Sequence, residues 1–350
     1  MRWGMLYKGS KNKLTAKIFE LFPQKKNFYD LFCGGCAMAH FALANKNYNK
    51  VVINDVNQMC TDLFFDAING KFKDEKRWIS REDFLKSDEP YVKVCWSFGN
   101  NMRDYLYSKE IEPYKKALHY ARVFNDFSLF EEMDIHLKDY SGIECNKNKK
   151  LIKEKYIAWY LKNNTDCKKE NLQAIEKAID KPRQEIIQGL ERLENFERLQ
   201  SLENFERLQS LENFERLQSL QSLERLQSLQ SLQSLENFER LQSYNLSFEN
   251  VPLCQDSILY CDIPYKNTDG YTEEEFDFEK FYLWCEKQTE PVFVSSYEMP
   301  EDRFACIASF KHRSILCATA NNEVVEKVFI PIHQVKDYHL PGSLFNFDKM

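Results

Sequence analysis

The sequence predicts a doubly wound α/β sheet, Rossmann-like in plan, with a mostly helical insert. Three observations lead there. Apolar runs end at turn or acidic residues, as Phe28–Phe32 does at Cys33-Gly34-Gly35-Cys36 and Ile258–Cys261 does at Asp262. Strand-like and helix-like patterns alternate through 1–100 and 251–350, as βαβ units require. Between them, 101–250 separates the two halves and closes in a tandem repeat over 190–244.

Bulk properties set the limits. A chain of 350 residues with 27 Phe and 18 Tyr can bury a large core and form two domains. A net charge of −6 confines any duplex-binding surface to a local patch. No run nears the roughly 18 apolar residues of a membrane span, and Met1-Arg2-Trp3-Gly4 shows no signal-peptide pattern. The eleven cysteines, among them Cys60, Cys95, Cys254, Cys285, Cys306 and Cys317, read as buried reduced thiols of a cytosolic protein.

In chain order, Leu6–Lys11 forms a glycine turn with Lys8 and Lys11 at the entry of a short helix (Leu14, Ile18, Phe19, Leu21, Phe22) that Pro23 ends. Phe28–Phe32 is a strand, Cys33–Cys36 a tight loop and Ala37–Leu43 a helix, the opening of a nucleotide-binding unit. Val51–Ile53 is the next strand, and Asp55 beyond it stands about 20 residues past the glycine turn, where an acid bonds ribose hydroxyls. Cys36 replaces the third glycine of the dinucleotide fingerprint, which favours an adenosyl ligand without phosphates. Cys33 and Cys36 have no second cysteine pair nearby, so metal or redox chemistry is not expected there. Asn57–Asn69 reads as a helix capped by Gly70, Val92–Trp96 as a strand, and Ser97–Asn101 as either a substrate-facing loop or a plain turn.

The second half centres on Leu259–Tyr265. Pro264 cannot continue a ladder, so Asp262 and Tyr265 sit at the carboxyl end of a strand, where open α/β sheets bind ligands. The Asp262 carboxylate, the Ile263 carbonyl and the Tyr265 ring together suit a planar base bearing an exocyclic amine. Phe276–Gln288 reads as a helix and Val292–Ser296 as a strand. Phe304–Phe310, Ser314–Ala318 and Val325–Ile330 read as closing strands, the last antiparallel. The six histidines are too dispersed for a metal site.

Tyr7-Lys8-Gly9-Ser10-Lys11, Asp30-Leu31-Phe32-Cys33-Gly34-Gly35, Asp55 and Asp262-Ile263-Pro264-Tyr265 occur in that order. In this the chain resembles the Dam-type (alpha-class) DNA adenine-N6 methyltransferases, especially their phage and prophage members, over roughly the first and last hundred residues. The resemblance implies an S-adenosyl-L-methionine-dependent enzyme that methylates N6 of adenine in a short duplex sequence, without metal, in the cytoplasm of a bacterial or phage-infected cell. It implies that Tyr7, Lys11, Asp30, Phe32, Gly34, Gly35, Asp55 and Asp262 contact S-adenosyl-L-methionine, with Asp30 and the glycine loop near its methionine part. It makes Asp262, Ile263, Pro264 and Tyr265 the catalytic motif. The target adenine would be extruded from double-stranded DNA and stacked on Tyr265. Ile263 departs from the family's proline, but its carbonyl is retained. The rivals are an RNA-directed or inactive relative and a repeat-based interaction protein.

The resemblance also places a DNA-reading insert in the middle. Lys147, Lys149, Lys150, Lys153 and Lys155, with Tyr156, Trp159 and Tyr160 following, suit phosphate contact and base stacking, and equally suit an amphipathic helix with a solvated lysine face. Asn267 in the catalytic loop is a further expected DNA contact. In 190–244 the unit Leu-Glu-Asn-Phe-Glu-Arg-Leu-Gln-Ser starts at Leu193, Leu202, Leu211 and Leu235. Its helix-forming composition and its i,i+4 Glu–Arg pairs predict helix. Its apolar period of three moves about 60° around an α-helix per step, however, so a long helix would need to bend, break or find a partner. Self-association or partner contact through the array is one expectation, and an inert spacer is the other. A third is that its length sets the docking of the DNA-reading part. Equal activity and target choice after deletion of two units would reject that third reading.

Overall fold

The computed structural model describes residues 3–139, 141–144, 146–164, 220–235, 238–264, 276–313 and 323–338. The chain divides by contacts into two units, one of Met1–Glu75, Arg81–Asp104 and Glu224–Met350 and the other of Lys76–Ser80 and Tyr105–Leu223.

The first unit is built on a seven-stranded sheet. Its strands are β1 (Asn27–Asp30), β2 (Lys50–Asn54), β3 (Leu241–Tyr244), β4 (Ser257–Asp262), β5 (Val292–Ser296), β6 (Phe304–Arg313) and β7 (Glu323–Pro331). They lie in the order β3-β2-β1-β4-β5-β7-β6. The ladders β3–β2, β2–β1, β1–β4 and β4–β5 are parallel, whereas β7 runs antiparallel to both neighbours. The strand order reverses direction at β1, so the crevice between the carboxyl ends of β1 and β4 is the topological switch point.

Both sheet faces are covered, which is why the central strands read as nearly continuous apolar runs. Tyr29, Leu259, Cys261, Val292 and Val294 face a cluster with Phe281, Tyr282 and Cys285 of a helix at Phe278–Glu286. On the other side Phe28, Tyr260 and Phe293 meet Phe22, whose ring lies 4.6 Å from that of Phe293. The short helix α1 (Thr15–Phe19) adds Phe19 to that face. Helices α2 (Ala37–Asn45) and α3 (Gln58–Ile68) follow β1 and β2, with the Asn57 side chain accepting from Met59 N–H to cap α3.

Two expectations are corrected. Val92–Trp96 is not a strand. After α4 (Arg81–Lys86), Pro90–Cys95 is helix α5, with Pro90 in the first turn where its missing N–H costs nothing. Tyr91, Val92, Val94 and Cys95 are all buried, so the alternating valines reflect burial on several sides rather than a pleat. The repeat is also not helical to its end. It runs through a helix at Gln221–Ser231 and a 3-10 turn at Leu232–Ser234, then enters the sheet as β3. A helix this short limits the drift of a three-residue stripe, and a 3-10 turn aligns i with i+3. Leu226, Leu229, Leu232 and Leu235 are accordingly all buried. Arginines of the repeat secure the junction. Arg225 donates to Cys95 O and Ser97 O, each at 2.8 Å, at the end of α5. Arg240 donates to Tyr48 O (2.7 Å), Leu43 O (3.1 Å) and Lys46 O (3.4 Å) at the end of α2. The expected strand Ser314–Ala318 and the array from 190 to 219 lie outside the described residues.

The second unit is helical where described, with α6 (Glu112–Phe124), α7 (Ser128–Glu131), α8 (Ser141–Glu144) and α9 (Asn146–Asn164). Trp78 stacks on Tyr107 with ring centroids 5.7 Å apart and nearly parallel planes. Tyr114 packs on Phe130 and Tyr156.

Candidate active site

The parallel register sets the geometry of the site. Asp30 at the end of β1 is opposite Tyr260 on β4, two residues before Asp262. The glycine loop and the carboxyl end of β4 therefore open on the same edge of the sheet.

The glycine loop is compressed from two sides. Met5 N–H donates to Gly35 O at 2.7 Å, drawing the chain's beginning across the loop. A Cβ on Gly35 would lie 2.7 Å from Tyr7 Cβ and 2.9 Å from Met5 O, so only glycine lets Tyr7 cross there. Asp55 closes the loop from the other side. One carboxylate oxygen accepts from Gly34 N–H and the other from Asn57 N–H, both at 2.9 Å. Burial pushes the Asp55 carboxyl up, against those two donors. Asp30 is buried and accepts from Ala39 N–H at 3.3 Å in the first turn of α2. Burial raises its carboxyl well above the usual range, and the nearby Asp262 adds to that. Cys36 occupies the left-handed region at φ 56°, the conformation for which a third glycine would be suited. Tyr7, Gly34, Gly35 and Asp55 are thus brought together.

Phe32 is placed differently. Its ring lies between Phe248 and Phe276, each at 5.7 Å, and Phe281 at 5.8 Å, which makes it part of an aromatic cluster. The Ser97–Asn101 segment is tied to the lysine motif, because Asn100 Oδ1 accepts from Lys8 N–H at 3.0 Å and its amide donates to Val94 O.

Lys11 reaches the end of β4 directly. Its Nζ lies 2.7 and 2.8 Å from the two oxygens of Asp262, 3.1 Å from Gly9 O and 3.8 Å from Glu326 Oε2 on β7. Burial alone would lower the Lys11 pKa, but Asp262 first and Glu326 next outweigh it and hold the ammonium above its ordinary value. Sequence reasoning missed Glu326. An acid in an alternating closing strand resembles a solvent-facing position, yet it is 2% exposed. Ile263 is buried in the apolar cluster beside Phe281 and Val294, which accounts for an isoleucine at that position. Pro264 follows, half-buried. Tyr265 and Asn267 lie outside the described residues.

Lys147, Lys149 and Lys150 fall on α9, with side chains outside the described residues. Further along that helix Tyr156 is buried and donates to Glu110 O, and Lys155 pairs with Asp134 at 2.8 Å. Those two side chains serve packing within the second unit. Cys33, Cys36, Cys60, Cys95 and Cys285 are buried thiols, whereas Cys254 and Cys306 are exposed, contrary to expectation. The loop before β4 and the outer strand β6 leave them uncovered. Cys317 lies outside the described residues. Among the described residues no group of three or more His, Cys, Asp or Glu is placed to hold a metal, and no helix is long and apolar enough to cross a membrane.

The sheet order, with its antiparallel seventh strand and its glycine loop at the switch point, defines a Rossmann-like methyltransferase fold. Residues 7–187, just over half of the chain, match the model of the D12 class N6 adenine-specific DNA methyltransferases, and the chain belongs to that family. The family's reaction is adenine methylation in DNA, and methyltransferases of this kind use S-adenosyl-L-methionine. The matched segment contains Lys11, the glycine loop and Asp55 but ends before the tandem array, while Asp262 lies beyond it. The β1–β4 ladder joins the two parts in space.

Proposed function

We propose that this chain is a site-specific enzyme that transfers a methyl group from S-adenosyl-L-methionine to N6 of adenine in duplex DNA, with the target base flipped out. Within its family we assign it to the Dam-type alpha class, on the motif order of lysine motif, glycine loop, insert and acidic catalytic motif, and to the phage-like branch. The observation that supports the reading best is the meeting of Lys11 and Asp262 at the sheet edge that also holds the glycine loop.

The residues present fit the cofactor. The loop is narrow enough to exclude a Cβ at Gly35, carries no phosphate-binding third glycine, and is backed by the Asp55 carboxylate. When bound, S-adenosyl-L-methionine supplies an already activated methyl group. Tyr7, Lys11, Asp30, Phe32, Gly34, Gly35 and Asp55 are proposed to hold and orient it, Asp55 with the remaining lone pairs of its oxygens toward ribose hydroxyls. Asp262 and the Ile263 carbonyl accept hydrogen bonds from the adenine amine, which favours a pyramidal, more nucleophilic nitrogen. Pro264 ends the strand so that this carbonyl is not consumed by the ladder, and Tyr265 stacks on the extruded base, a contact worth about 1–3 kcal/mol.

The catalytic part is proposed to be 1–100 with 251–350, and target reading is proposed for the 101–250 insert, with Lys147, Lys149, Lys150 and Asn267 as DNA contacts. The cytoplasm of a bacterial or phage-infected cell is the proposed location, and self-association or partner contact through the 190–244 array belongs to the same reading. Crosslinking of S-adenosyl-L-methionine to the chain, with and without Asp262→Ala, separates an enzyme from a scaffold. Sequencing-based mapping of modified adenines in expressing cells reads activity and target together. Absence of modified adenines with an intact, expressed chain would reject the proposal.

A further inference from the structure

Glu326 is a buried acid outside the residues proposed to hold the methyl donor or the base. It lies on β7, where the register pairs Ser295 with Val328 and Ser296 with Lys327, so Glu326 falls just past the carboxyl end of β5. Asp262 pairs with Ser295 on the other side of β5. The two acids therefore stand at the same sheet edge, separated by one strand. Lys11 Nζ reaches both, at 2.7 Å from Asp262 and 3.8 Å from Glu326, and the Lys11 and Glu326 side chains are only 5% and 2% exposed. A buried carboxylate is costly unless it is paired, so its position at this edge calls for a compensating partner, and Lys11 is a cation within reach of it.

The arrangement has a consequence for the proposed chemistry. Lys11 bonds both oxygens of Asp262. An ammonium held this tightly occupies acceptor sites and withdraws electron density from those that remain, which weakens Asp262 as an acceptor for an amine. A second carboxylate competing for the same ammonium relieves that.

We propose that Glu326 is a positioning residue that takes a larger share of Lys11 when the target amine arrives, which frees Asp262 to accept from it. No charge enters or leaves the cluster, because the ammonium moves between two carboxylates already present. The inference rests on the proposed role of Asp262 as the amine acceptor.

The test uses the full chain, tritiated S-adenosyl-L-methionine and genomic DNA free of adenine methylation. Glu326→Gln keeps the shape and removes the charge, and Glu326→Asp keeps the charge. Glu326→Gln is expected to lower the rate of methyl transfer at least about tenfold while KM for the methyl donor stays within about twofold, with Glu326→Asp recovering part of the loss. Donor crosslinking by Glu326→Gln at the wild-type level shows that the variant is folded. Wild-type turnover by Glu326→Gln, a parallel loss of donor binding and rate, or a Glu326→Asp variant no better than Glu326→Gln would each overturn the inference. Failure of the wild-type chain itself to incorporate label would overturn the methyltransferase reading, and this inference with it.

Discussion

The Lys11 ammonium lies 2.7 and 2.8 Å from the two carboxylate oxygens of Asp262, a contact made across 251 positions of sequence. It joins the chain's first helix entry to the carboxyl end of β4. Removing one member leaves a largely buried charge without its partner, so Lys11→Met is expected to destabilise the fold by about 3 kcal/mol or more. The double variant Lys11→Met with Asp262→Asn should recover part of that loss in urea unfolding, although both variants lose methyl transfer. A double variant whose loss equals the sum of the losses of Lys11→Met and Asp262→Asn alone would show that the pair contributes nothing as a pair.

Asp55 holds the glycine loop through Gly34 N–H and Asn57 N–H. Asp55→Ala releases both donors, each such charge-assisted bond being worth about 1.5–3 kcal/mol. Weaker donor binding follows, with KM for S-adenosyl-L-methionine raised by about tenfold or more and the rate at saturating donor less affected. Gly35→Ala, whose new Cβ would meet Tyr7, is expected to weaken donor binding as well. Titration of donor binding by calorimetry checks both.

Arg240, in the last copy of the repeat, donates to three carbonyl oxygens at the end of α2. Arg240→Ala leaves those acceptors without this donor and should lower stability by about 1–3 kcal/mol. Thermal unfolding measures it. An unchanged midpoint would mean that solvent replaces the guanidinium without cost.

His40 is buried in α2, and its Nδ1 accepts from Gly4 N–H at 2.8 Å, which requires that nitrogen to be unprotonated. Burial lowers its pKa from 6.5 to about 4. Below pH 6.5 the unfolded chain binds a proton that the folded chain refuses, so this contribution is intact above about pH 6.5 and is lost as the pH falls toward 4. Its full size is about 3 kcal/mol at most. His40→Asn keeps an acceptor without titrating in this window. Its unfolding midpoint should fall less steeply between pH 6.5 and 4 than that of the wild-type chain.

Much of the sheet was legible before the structure, for a local reason. Strands β1, β2, β4 and β5 are buried on both faces, so each is a short apolar run closed by a turn residue or an acid, and no distant partner is needed to recognise it. The misreadings occur where the partner decides. Val92 and Val94 suggest a pleat, but Pro90 starts a helix whose last carbonyls are met by Arg225, a residue of the repeat. Leu241–Tyr244 shares its composition with helix-forming copies upstream, and only the open edge of β2 turns it into a strand.

The sequence by itself determined the chemical parts and their edge: a glycine turn after one strand, an acid and a proline after another, and the parallel sheet that brings such ends together. What surrounds Asp262 was decided by tertiary structure alone. Asp262 receives Lys11 from the first helix entry and, through that ammonium, Glu326 from the antiparallel strand β7. Such pairings follow from burial, which makes a charge seek its opposite wherever the fold presents one, whatever the separation in sequence.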